Sequence, residues 1–482
     1  MALHRTAALT LLCAACTQAP PGRKLASGLA RGLTARNGAA AFLLDARHPE
    51  DRGVPDDLLA GDLWLDGRRV GVGVSTSEGA YAFAPRGAEL AWLARWRFRE
   101  GLGELWTAAP GGDPRQVAKE ARSFAWSAEG KLAWVGADRL GIGDRTLTLA
   151  GVQAVSWSPD GRRLAARAAA TAGGRLWMVD AQSLTAREVA VGTSDFAFGP
   201  DGALGALGPP PPKGGDRPLL VDGVRVGEAT AFAFSPSGRE LALLSTAAQP
   251  GEAAGDLLRM ERTGGTPRRV AARVSNFRWD AGGDLLCIAG FDPRARAGTL
   301  TAAAPGGSPR EIARRVQSFS AWGRRVLYLV QVPGKGDFRL ELWGVDLAAP
   351  DAAPRRIDEG VYGWQLSRDQ VFYKARCAGG PRSCSLLRAP FAGGAPELLA
   401  PEVAGFDLSE DGARILAQRP HRGAPRSVDL AVIPAEGPPT GNLRFFVEEV
   451  DPTSSFADDA GKRVAYAIVA AGKGGVFLAE TP

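Results

Sequence analysis

Between Ala154 and Ala168 the chain reads AVSWSPDGRRLAARA. Apolar and polar positions alternate through Val155 and Trp157, break at Ser-Pro-Asp-Gly, and resume through Leu164 and Ala166. Period-two alternation marks a half-buried strand. Pro and Asp preset a tight turn, and Gly takes the positive dihedral that the turn needs. The segment therefore predicts a β-hairpin, and it recurs. Turn glycines of the same kind stand at Gly87, Gly130, Gly161, Gly202, Gly238, Gly283, Gly323, Gly412 and Gly461. One further copy has Gln370 in the glycine's place, and a fainter one turns at Gly38. From Gly87 to Gly461 nine intervals span 374 residues, about 42 each. In the clear copies an aromatic residue or leucine lies four positions before the glycine, with another apolar residue six before.

Each period holds a second hairpin signal. It is Gly-Gly at 111–112, 264–265, 306–307 and 393–394, or Asp-Gly at Asp66-Gly67 and Asp222-Gly223, a pair suited to two-residue turns. A period then reads strand, turn, strand, variable loop, strand, turn, strand, which is the blade of a β-propeller. The predicted fold is all-β, a propeller of about 10–11 four-stranded repeats. That exceeds the four to eight blades usual for one ring. Two rings, over residues 16–240 and 241–482, are the expected arrangement, with one large ring as the alternative. The last repeat lacks a fourth strand, and RKLASGL near residue 24 reads as an outermost strand, so the two termini are expected to complete one blade.

These repeats resemble the WD40-like PD40 repeats of the bacterial TolB family and of propellers attached to prolyl-oligopeptidase-type enzymes. The resemblance covers nearly the whole chain after the leader, and it is specific for fold and weak for function. TolB itself carries a separate α/β domain before its propeller, for which the repeats leave no room here.

Composition agrees with a folded, turn-rich chain: 45% hydrophobic and 23% charged, with 62 Gly and 34 Pro in 482 residues. Only the first fifteen residues, MALHRTAALTLLCAA, hold an uninterrupted apolar run, and it is too short to span a bilayer. A positive start at Arg5, a short apolar stretch and Ala14-Ala15 before Cys16 form a secretory signal layout. The small residues before Cys16 resemble the bacterial lipobox, which implies lipidation of Cys16; the alternative is an ordinary cleaved signal. Cys13 stands where that pattern prefers leucine, and Thr17 is not the aspartate associated with inner-membrane retention, so the outer membrane is the expected location. Export permits disulfides. Cys377 and Cys384 flank AGGPRS between two apolar runs, where a bridge would close a hairpin, and Cys287 in LLCIAG reads as a small core residue.

Candidate chemistry is sparse. The three histidines are His4, in the leader, and the isolated His48 and His421, which make a metal cluster or a Ser-His-Asp triad hard to assemble. No GxSxG nucleophile elbow occurs, and SPDGRRLA and SEDGARIL lack the spacing and Trp of sialidase boxes. Asp160, Asp201 and Asp411 are accounted for as turn residues. No catalytic residue, metal site or cofactor is expected, and His421 reads as a solvated loop residue.

The variable loops between second and third strands project from one face. Together they carry fifteen Lys/Arg against seven Asp/Glu, in a mature chain of net charge +5. The candidate binding face comprises Arg95, Trp96, Arg97, Phe98, Arg99, Lys213, Arg217, Arg294, Arg296, Arg382, Arg419 and Arg422. Such a face suits an acidic envelope protein, an anionic envelope polymer or lipid headgroups. Alternatively, an arginine-rich composition simply places Arg in exposed loops, and Trp96 and Phe98 pack inward at a strand end. No Lys/Arg run of the nucleic-acid kind occurs. The expectation is a monomeric, non-catalytic, lipid-anchored scaffold, with a hydrolase or small-ligand binder using a central channel as the alternative.

Overall fold

The computed structural model describes residues 21–481 apart from 29, 49–58, 170–173, 194, 213, 246–253, 334–337, 350–351, 379, 425, 438–444 and 469–473. Among these residues there is no helix, and every strand pairing is antiparallel. Seven sheets are four-stranded, covering 31–75, 81–121, 123–148, 152–190, 196–229, 231–274 and 363–403. These are blades 1 to 6 and blade 9.

Two larger sheets are pairs of blades. Strand Arg310–Trp322 is the outer strand of blade 7 (276–316) and runs on as the inner strand of blade 8 (318–359). Its hairpin is short, with Trp322 paired to Arg325. Blade 10 (405–450) touches blade 11 through Val450 and Ile468. Blade 11 takes strands from 455–480, and its outer strand is Arg23–Ser27, paired with Gly475–Glu480. The two ends of the described chain thus build one blade.

The repeated turn is held by its own polar groups. In blade 4 the Ser158 hydroxyl donates to Asp160 (2.6 Å) and accepts the Arg163 amide, while the Asp160 carboxylate accepts the Arg162 amide. Gly161 supplies φ 63°. Ser409, Asp411 and Gly412 repeat the arrangement in blade 10. Burial alone would raise the Asp160 pKa, but the Ser158 and Arg162 hydrogen bonds hold it below the usual carboxylate range. In the copy without glycine, Arg368 itself takes the left-handed conformation, at φ 52°.

Inner strands converge, and their aromatic residues wedge between blades. The indole N–H groups of Trp126, Trp157 and Trp279 donate to the carbonyls of Ala82, Ala125 and Ala233 on the preceding inner strand, at 3.0–3.2 Å. A buried Trp N–H needs such a partner, and the spacing repeats with the blades.

Eleven apolar clusters join consecutive blades. The cycle returns from blade 11 to blade 1 through Leu25, Leu33, Phe42, Ala465 and Val476. Among the described residues no cluster joins blades that are not neighbours in this cycle. The expected boundary near residue 240 meets the start of strand Glu240–Leu244, where Leu219, Leu241, Leu243 and Met260 pack blades 5 and 6 together. Blade-to-blade packing thus continues across residue 240.

Candidate functional site

In an antiparallel meander, second-to-third loops and blade-to-blade connections lie at the same end, and the two repeated turns lie at the other. The variable segments therefore share one face, and each blade brings its arginines there at strand ends.

The first candidate segment lies at the end of strand Leu90–Arg97. Trp96 and Phe98 are half-buried, and Trp96 packs with Leu93 and Leu105 between blades 2 and 3. A Cβ on Gly103 would lie 3.0 Å from the Trp96 ring, so the third strand has glycine where the indole sits. Arg95, at φ 47°, pairs with Glu104 at 2.8 Å. Arg97 pairs with Glu100 and Glu120 at 2.7 and 3.1 Å. Arg99 is exposed. Trp96 packs inward, Phe98 is half-buried, and Arg95 and Arg97 are locally compensated.

Elsewhere the face divides. Arg217 is largely buried and pairs with Asp195 at 2.6 Å. Arg419 pairs with Asp429. Arg294, Arg296 and Arg422 are exposed and have no ion pair among the described residues. Arg382 lies exposed in the hairpin closed by the Cys377–Cys384 disulfide. The Lys374 ammonium donates to the Pro381 carbonyl at 3.2 Å, binding that hairpin to its own strand, and burial lowers its pKa. Cys287 is a free thiol buried in the core. Lys213 and Cys16 lie outside the described residues.

Sequence reasoning missed Asp429. Its side chain is 3% exposed, and it stands directly across the strand pair from Arg419. One carboxylate oxygen accepts Arg419 Nη2 at 2.7 Å, and the other accepts His421 Nδ1 at 2.6 Å and the Glu449 amide at 3.2 Å. Arg419 also stacks on Phe445, 3.7 Å from the ring centroid. Burial would raise the Asp429 pKa, but the Arg419 and His421 hydrogen bonds outweigh it and leave the carboxyl below its usual range. His421 is thus held by a buried carboxylate, which differs from the solvated loop residue expected. The available signal was the ten-residue spacing of Arg419 and Asp429 across a hairpin, but it cannot be read before the register is known.

At the position before the wedging residue the inner strands carry chiefly small residues such as Ala82, Ala125 and Ala233, with Ser156, Arg278, Gln365 and Asp407 among the polar exceptions. Burial raises the Asp407 pKa, opposed by a hydrogen bond from Gln365 on the neighbouring blade. Among the described residues no group of three or more His, Cys, Asp or Glu could hold a metal ion.

Strand order and repeat make this an all-β propeller protein. No family model matches the chain, and no curated protein matches it. Among solved structures it is similar to a eukaryotic initiation factor, at 13% identity over 75% of this chain and 96% of that one, with a TM-score of 0.44. It is also similar to the β-propeller domain of the Trilobed protease from Pyrococcus furiosus, at 10% identity, 87% and 96% coverage and a TM-score of 0.30. The tricorn protease matches at 11% identity over 91% of this chain and 49% of that one, with a TM-score of 0.32. Likeness at this level concerns strand architecture and not activity.

Proposed function

We propose that the chain is one closed ring of eleven blades, of the TolB-like PD40 kind, and that it works as a non-catalytic binding scaffold in a bacterial envelope. The ring presents its loop face to an envelope protein or anionic envelope polymer. The observation that supports this reading is the presence on one rigid face of exposed arginines, Arg294, Arg296 and Arg422, without carboxylate partners among the described residues. A propeller supplies affinity through loops held at fixed positions, with little ordering cost on binding. In this reading the leader is removed, Cys16 carries the lipid, the protein is a monomer at the outer membrane, and nucleic acid is not a partner.

The test is crosslinking in the native envelope followed by mass spectrometry, alongside membrane fractionation of a Cys16→Ala variant. A reproducible protein or polymer adduct, and release of Cys16→Ala to the soluble fraction, are expected. If the wild type yields no adduct, the scaffold reading falls; if Cys16→Ala stays with the membrane, the anchor does. A second reading, a ligand site within the ring, draws its support from the Asp407–Gln365 pair on adjoining inner strands.

A further inference from the structure

Among the described residues, arginines of the loop face without an ion pair gather around blade 7. Its second-to-third hairpin closes with Asp292 paired to Ala297 and carries Arg294 and Arg296 at its tip. The outer-strand ends on either side carry Arg273, from blade 6, and Arg315, from blade 7 itself. All four are exposed, and none has an ion pair among the described residues. The one acid of the hairpin, Asp292, accepts the Arg294 amide at 2.8 Å.

The hairpin is clamped from both sides. Arg273 donates to the Phe291 carbonyl at 2.8 Å, and the buried Gln331 of blade 8 donates to the Ala295 carbonyl at 2.9 Å. The arginines therefore stand on a preorganised support.

Three of the four also share a backbone conformation. Arg273, Arg296 and Arg315 have φ 51°, 52° and 57°. Glycine adopts this conformation at far lower cost; blades 1, 2 and 8 use it at matching places, while blades 9 and 10 have Glu402 and Glu449 there, at φ 53° and 57°. Gly101 closes the blade 2 hairpin at φ 61°, and Gly73 and Gly360 precede the buried Val74 and Val361 at φ 62° and 65°. Blade 7 and its junctions keep three arginines where glycine would relax the chain. Strained positions of this kind cluster at functional sites.

Resting on the scaffold reading above, we propose that this sector is the docking site for a short acidic segment of a protein partner, whose carboxylates pair with the guanidinium forks of Arg273, Arg294, Arg296 and Arg315. Arginine matches carboxylates in this bidentate way. The patch is bounded. On blade 6 Arg269 is neutralised by Asp256 at 2.9 Å, and on blade 8 Arg339 and Arg356 are neutralised by Glu359 and Glu341 at 3.0 and 3.2 Å. A lipid surface or long polyanion gains from continuous basic surface, which these neutral flanks do not offer. A short acidic segment gains the four arginines alone.

The test uses the purified full chain and a fluorescein-labelled peptide of alternating Glu and Gly, read by anisotropy at low salt. Arg296→Gly/Arg315→Gly is expected to melt at the same temperature as wild type or higher, yet bind the peptide about tenfold more weakly or worse. Arg294→Glu, at an ordinary backbone position, gives the same loss by a different route. Arg368→Gly/Arg376→Gly removes the same charge at two positive-φ sites elsewhere and is expected to stay within about twofold of wild type. Unchanged affinity in Arg296→Gly/Arg315→Gly overturns the assignment, as does an equal loss in Arg368→Gly/Arg376→Gly. Binding of phosphatidylglycerol vesicles in place of the peptide overturns the choice of partner. Envelope crosslinking separates the two levels. An adduct that persists in Arg296→Gly/Arg315→Gly sinks this sector alone, whereas no adduct with wild type sinks the scaffold reading.

Discussion

Asp429 shows what one buried carboxylate contributes. Its folded pKa lies below the unfolded value of about 3.9, so the folded state favours the charged form. The resulting stability is present in full above the unfolded pKa and is lost as pH falls through the folded one. Wild type is therefore expected to lose thermal stability below about pH 4. Asp429→Asn is expected to cost about 2 kcal/mol near neutral pH, less than a fully buried pair would, because Arg419 is 31% exposed. The difference between the two proteins should shrink as the pH falls; melting curves across pH 2–7 check both. A constant difference over that range would assign Asp429 a packing role only. Trp157 and Asp160 are legible residues by contrast. Their roles, wedge and turn, follow from period-two spacing and turn chemistry alone, and the contacts at Ala125 and Ser158 agree.

At the scale of the element, many arginines turn out to join blades. On the turn face, residues at the start of outer strands reach the next blade. Arg68 pairs with Asp113, Arg145 and Arg187 donate to the carbonyls of Gln182 and Asp222, and Arg268 donates to Gly306 and Gly307. Where blades diverge toward the rim, a long side chain is what spans the gap. Each exposed contact contributes little alone, roughly 0.5 kcal/mol. The sites are far apart, so their effects should add. Arg145→Ala/Arg187→Ala/Arg268→Ala is thus expected to lose about 1.5 kcal/mol with the strand content unchanged. Denaturant titration beside circular dichroism checks this; no loss of stability would reduce these contacts to surface decoration. The Pro-Arg pair after three of the four Gly-Gly turns, at 114–115, 267–268 and 309–310, was visible in the sequence. Its partner was not, because the acceptor lies in the next repeat.

For the whole molecule, closure depends on the short strand Arg23–Ser27. It covers the edge of Gly475–Glu480 and places Leu25 against Phe42 and Val476. A chain starting at residue 28 is expected to expose that edge and core, to melt well below the parent, and to associate through the open strand. Sedimentation and thermal melting check this; a monomer of unchanged stability would show that the closing blade does not need its fourth strand. The blade, its turns, its inner aromatic residues and the presence of eleven repeats are local properties. Strand alternation and turn chemistry act within about ten residues, so the amino-acid order alone specifies them. One cycle or two, and which arginines meet a carboxylate, depend on contacts between repeats some forty residues apart. Arg95 and Arg296 look alike in sequence. Only the packed blades place Glu104 beside the first and leave the second exposed without an ion pair among the described residues, because charge compensation depends on distance in space and not along the chain.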